Sequence, residues 1–125
     1  MPDDALLDIL EMMSASVRLV AHRFERIETP DDFCSSAEGT TLLDAIAMRL
    51  QVVGESVKQI QKRDPAFLAT YPEIHWDKMA RFRDLVSHHY ENVDHEIVYD
   101  ICKNHIPRLS IALSKMFEGF KKTRR

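Results

Sequence analysis

The chain has 125 residues, 45% of them hydrophobic and 30% charged, with three glycines. That is enough to bury a core without disulfide or metal support, and the balance is that of a helix-rich protein and not of a disordered one. A net charge of −3 excludes a broad electrostatic grip on nucleic acid, so any RNA contact must come from a local patch or an oligomeric groove.

Leu6, Leu10, Met13, Val17, Val20, Ala21 and Phe24 recur at three and four residues and predict a first helix running to about Glu25, with Asp3 or Asp4 accepting from its free amides. Thr29-Pro30-Asp31-Asp32 stops it, and a polar loop follows through Ser35, Ser36 and Gly39. Leu42, Ile46, Leu50, Val53, Val57 and Ile60 mark a second long helix, capped by Thr40 or Thr41 and halted before Pro65; Gly54 inside it permits a close helix contact. Pro65 to Tyr71 is a short extra turn of helix. After Pro72, a third helix starts near Trp76 and carries the segment from Arg83 to His88, until Glu91-Asn92-Val93 breaks the periodicity.

Asp94 is the expected N-cap of a last helix, in which Ile97, Ile101, Leu109, Ala112, Met116, Phe117 and Phe120 form the apolar stripe and Pro107 makes a kink. No strand-like alternation or internal repeat interrupts the pattern. The predicted fold is all-α: an antiparallel four-helix bundle with a short extra helical turn, forming one domain over residues 1–120 with a basic tail at 121–125.

The chemistry concentrates in Arg83-Asp84-Leu85-Val86-Ser87-His88-His89-Tyr90. On a continuous helix, Asp84 and His88 share a face, while Phe82, Leu85, Val86, His89 and Tyr90 occupy the opposite arc of roughly 140°. RNA is cut without metal when a base takes the 2′-hydroxyl proton, that oxygen attacks phosphorus, and a cation stabilises the phosphoryl oxygens. His88 and Arg83 are of those types, and Asp84 can orient the imidazole. Arg83 and His88 are about 140° apart on an ideal helix, so they converge only if the arginine stem swings round or the helix loosens near Ser87. Spacing alone favours the plainer view of Arg83 and Asp84 as a solvated surface pair.

The Arg-x4-His-x-Tyr pattern adds to this, within the run Trp76…Arg83-Asp84-Leu85-Val86…His88-x-Tyr90…Val93-Asp94…Glu96-Ile97-Val98. With Val53-Gly54-Glu55-Ser56-Val57-Lys58 upstream, and Asn104, Pro107 and Leu109 downstream, the chain resembles the HepT-like branch of the HEPN superfamily over nearly its whole length. The resemblance implies an all-helical, homodimeric, metal-independent RNase toxin of a toxin–antitoxin pair, needing no cofactor and neutralised by a small nucleotidyltransferase antitoxin; the two cysteines and the absence of a leader separately predict a cytoplasmic protein. By motif position it implies that Arg83 and His88 are catalytic, that Asp84 is the polar motif residue, in a place where asparagine is common, and that Tyr90 is the AMPylation site. A homodimer would bring two Arg83 and two His88 residues into one groove. The alternative is a noncatalytic helical module that uses the same face to bind a nucleotide or a partner protein.

Other signals are weaker. Cys34 and Cys102 are expected to be reduced, buried thiols, and Cys102 with His105 falls short of a four-ligand zinc site. No apolar run approaches the length of a membrane span, and the Met-Pro-Asp-Asp start predicts no export leader. Trp76 is expected to anchor the third helix in the core, with Lys78 and Arg81 its only basic neighbours in sequence.

Overall fold

A computed structural model describes residues 4–88 and 92–123. Helix α1, Asp4–Phe24, buries Leu6, Leu10, Met13, Val17 and Val20 along one stripe; Ala21 lies outside that stripe, on the solvent side. A single 3₁₀ turn, Pro30–Phe33, then seats the fully buried Phe33. The Asp32 carboxylate holds this corner by accepting from the backbone N–H groups of Glu28 at 2.8 Å and Thr29 at 3.0 Å. Those two donors keep its pKa below the usual carboxylate value.

Helix α2, Ala37–Arg63, begins earlier than its threonines suggest, because Ser36 rather than Thr40 or Thr41 is the N-cap, its hydroxyl accepting from Gly39 N–H at 2.9 Å. Gly39 lies inside the first turn of α2, hard against the 3₁₀ turn: a Cβ there would fall 2.0 Å from the Asp32 carbonyl oxygen. A short helix α3, Pro65–Ala69, follows, capped by Asp64 and buried through Leu68.

The third long helix expected from Trp76 onward is replaced by two short ones. Helix α4 spans Trp76–Ala80 and helix α5 spans Phe82–Val86, with Arg81 between them. On either side of the break, Trp76, Met79 and Ala80 and then Phe82 and Val86 are all buried. Helix α5 stops at Val86. Strand β1, Ser87–His88, pairs antiparallel with β2, Asn92–Val93, in the register Ser87 to Val93 and His88 to Asn92.

Asp94 closes the pair and opens the next helix. Its N–H donates to the Val86 carbonyl at 2.9 Å, and its carboxylate accepts from Glu96 and Ile97 N–H, both at 3.1 Å. Helix α6, His95–Asp100, continues through a π-helical segment, Ile101–His105, into α7, Ile106–Thr123. The wide turn sits immediately before Pro107, where Ile106 N–H reaches back five residues to the Ile101 carbonyl. Pro107 brings no N–H to the ladder, so a register change at this point accommodates the lost bond.

Helix α2 is the centre of the packing: α1 lies along it, and α3, α4, α5 and α6 all touch it, while α7 packs on α1. Tyr99 on α6 ties the far corner, its hydroxyl donating to the Glu28 carbonyl at 2.7 Å and its ring meeting Phe24 edge-on at 5.3 Å. Cys102 is buried, but Cys34 is exposed, contrary to the expectation of two buried thiols; both are free. Among the described residues, no helix is long and apolar enough to cross a membrane.

Candidate active site

Arg83 and Asp84 sit side by side on α5, both exposed, and neither side chain has a hydrogen-bond or ion-pair partner among the described residues. They are not a pair consuming each other's charge. An uncommitted guanidinium offers five N–H donors in a planar fork suited to phosphate oxygens.

Because α5 ends at Val86, the shared helical face expected for Asp84 and His88 does not exist. The physical reason lies in the burial of Phe82 and Val86 and in the bond from Asp94 N–H to the Val86 carbonyl, which draws the chain out of the helix and into the β1–β2 ladder. The backbone leaves the helix at Ser87, the position where the loosening considered from the sequence would fall. His88 ends β1, directly opposite Asn92 in the ladder register. Periodicity gave no hint of this, since two-residue strands are too short to carry an alternation. His89 and Tyr90 lie outside the described residues, as do Asp3, Arg124 and Arg125.

The support beneath the motif is closely packed. Gly54 on α2 lets the backbone of α4 press directly on it: a Cβ at Gly54 would lie 3.0 Å from the Met79 carbonyl oxygen and 3.4 Å from that of Ala80. Phe82 and Val86 anchor α5 in the core from the other side of Arg83 and Asp84.

Sequence reasoning missed one feature altogether. His75, Lys78, Arg81, His105 and Arg108 line one open cleft of about 800 Å³, although they come from opposite ends of the second half of the chain. His105 is only 15% exposed, and burial, followed by the charge of Lys78, lowers its pKa from the ordinary 6.5, against the raising effect of Asp100 at 3.8 Å. The buried Cys102 thiol is pushed up to about 12 by desolvation. Among the described residues, no three His, Cys, Asp or Glu side chains cluster closely enough to hold a metal ion.

The family model described as "Ribonuclease HepT-like" matches residues 5–116. The protein named "Putative RNase MJ0127" of Methanocaldococcus jannaschii is 34% identical over 102 residues, covering 82% of this chain and 75% of that one. From the same organism, "Gamma-glutamylcyclotransferase and putative RNase MJ0434" is 28% identical over 87% of this chain, which spans only 46% of that longer protein. "Probable ribonuclease HepT" of Thermococcus cleftensis is 29% identical, over 87% of this chain and 93% of its own length. No solved structure gives a significant match. With a family model covering nearly all of α1 to α7, and relatives named as ribonucleases aligned over most of its length, the chain belongs to the HepT-like ribonuclease family.

Proposed function

We propose that the protein is a metal-independent endoribonuclease toxin in which Arg83 and His88 act on one scissile phosphate. The observation that carries this is the exposed Arg83 guanidinium, without a partner among the described residues, on a short helix pinned from below, five residues before the histidine of the Arg-x4-His-x-Tyr motif. His88 takes the 2′-hydroxyl proton, the oxygen attacks phosphorus, and Arg83 stabilises the charge that builds on the phosphoryl oxygens. The bond to the 5′ oxygen breaks and that oxygen takes up a proton, leaving a 2′,3′-cyclic phosphate and a 5′ hydroxyl. Asp84 keeps a positioning role toward His88, carried by its motif place and no longer by a common helical face.

The toxin is a homodimer in this proposal, with two copies of the motif in one groove. That arrangement would concentrate positive charge that a chain of net charge −3 lacks elsewhere. A nucleotidyltransferase antitoxin neutralises it by attaching AMP to Tyr90, two residues beyond His88 in the motif.

Incubation of the purified chain with total RNA in excess chelator tests the reading. Cleavage that disappears in His88→Ala and in Arg83→Ala supports it; intact RNA together with measurable nucleotide affinity supports the noncatalytic module. Mixing the two inactive variants tests the shared groove, because activity restored in the mixed dimer requires one site built from two chains.

A further inference from the structure

The basic cleft is separate from the exposed pair on α5, yet it begins two residues away. Arg81 lines the cleft and Arg83 carries the motif, so their Cα atoms are at most about 7.6 Å apart along the chain. Five cationic or titratable side chains converge on it: His75, Lys78 and Arg81 from the neighbourhood of α4, and His105 and Arg108 from the π segment and α7. Among the described residues, Lys78, Arg81 and Arg108 have no ion-pair partner. The carboxylate in the lining, Asp77, accepts from Gln61 Nε2 at 3.0 Å. In a chain of net charge −3 that is a marked local excess of positive charge.

The rest of the lining is apolar, supplied by Pro65, Leu68, Ala69, Ile74 and Trp76. Trp76 is 9% exposed and its indole N–H is committed to the Tyr71 carbonyl at 3.0 Å, so its ring is a fixed wall. A volume of about 800 Å³ holds a nucleotide unit, with the floor suited to a base or ribose and the cations to its phosphate. Burial first, and then the charge of Lys78, disfavours the protonated form of His105, against the raising effect of Asp100 at 3.8 Å, with Arg108 adding a smaller push in the direction of Lys78.

We propose that this cleft is a second RNA-binding site, holding a nucleotide and its phosphate next to the one attacked at Arg83 and His88. The proposal rests on the ribonuclease reading for its ligand, but its test does not need cleavage. An oligoribonucleotide with 2′-O-methyl groups cannot be cut by its own 2′ oxygen, and its binding can be followed by fluorescence anisotropy across a salt series.

Lys78→Glu with Arg108→Glu should weaken that binding at least about tenfold and lower the log–log salt slope by about 1.4, the share of two phosphate contacts on a single strand. A double change of equal charge elsewhere, Lys58→Glu with Lys121→Glu, should leave affinity within about twofold. Should the charge reversal disturb folding, Lys78→Gln with Arg108→Gln gives the same direction, and in an active enzyme it should raise KM while sparing kcat. Unchanged affinity in both cleft variants overturns the proposal even if Arg83→Ala abolishes cleavage. Conversely, cleft-dependent binding without any cleavage by the parent chain would leave this site standing and sink the nuclease reading. Polyglutamate of matched charge that binds as tightly as the RNA, and is lost in the same variants, would also overturn it, by making the cleft a seat for acidic protein.

Discussion

Gly54 and Met79 meet backbone to backbone: a Cβ placed on Gly54 would stand 3.0 Å from the Met79 carbonyl oxygen. Neither side of that contact is a flexible side-chain end that could swing away. Gly54→Val should therefore force α4 and α5 outward, at a cost of about 1–3 kcal/mol for overpacking, against which the better helix propensity of valine returns only a few tenths. Denaturant unfolding should show the loss in stability. Since α5 carries Arg83, RNA cleavage should fall by more than the folded fraction accounts for.

A second prediction concerns Asp94, which couples the β1–β2 ladder to α6. Asp94→Ala keeps the backbone bond to Val86 and deletes only the cap to Glu96 and Ile97 N–H. The expected destabilisation is about 0.5–2 kcal/mol, the usual range for a lost N-cap. Asp94→Asn should recover most of it, because the amide oxygen still accepts. Equal destabilisation by the two changes would mean that charge, and not the hydrogen bonds, was the source.

Where elements bury one continuous stripe, the sequence was legible. Leu6 to Val20, Ile46 to Ile60 and the Asp94 cap follow from periodicity and capping alone, although Leu43 and not the expected Leu42 is the buried leucine at the start of α2, and Gly54 announced its close contact. The failures occur where tertiary contacts override periodicity. Phe82 and Val86 continue the apolar spacing after Trp76 and Met79, so a single helix fits the pattern. The turn at Arg81 and the ladder after Val86 depend on contacts with α2 and on the bond from Asp94, which spacing cannot register. The basic cleft was invisible for a related reason: His75 and Arg108 are far apart in sequence, and only the packing of the fold unites them.

For the motif arginine, charge and geometry can be separated. Arg83→Lys keeps one positive charge but loses the planar two-pronged donor. If Arg83 stabilises the transition state by paired hydrogen bonds, the lysine variant should lose about 10²–10³ in kcat, close to Arg83→Ala. Thermal stability should barely move in either variant, as the side chain is exposed and contacts no partner among the described residues. Near-parental activity in Arg83→Lys would assign the residue a purely electrostatic part.

The two cysteines should separate cleanly under a thiol reagent. Cys34 is exposed, whereas Cys102 is buried with its pKa raised to about 12, so almost none of it is thiolate at neutral pH. One equivalent per chain should react quickly with an aromatic disulfide in the native state, and the second only on unfolding. Cys34→Ser should remove the fast phase.

His105 sets the pH response of the cleft wall. Burial, then Lys78, Arg108 and His75, lower its pKa from 6.5, with Asp100 acting in the opposite direction. The unfolded chain therefore binds a proton there more readily than the folded one. Its contribution to stability is full above about pH 6.5 and is lost as pH falls from there through the lower folded value. His105→Gln should flatten the stability profile on the acid side of pH 6.5 while leaving the region above it nearly unchanged. The Asp32 carboxylate, whose pKa is also lowered, acts only near and below its ordinary 3.8, so the two effects fall in different windows. A His105→Gln profile as steep as the parent's just below pH 6.5 would place the acid sensitivity elsewhere in the chain.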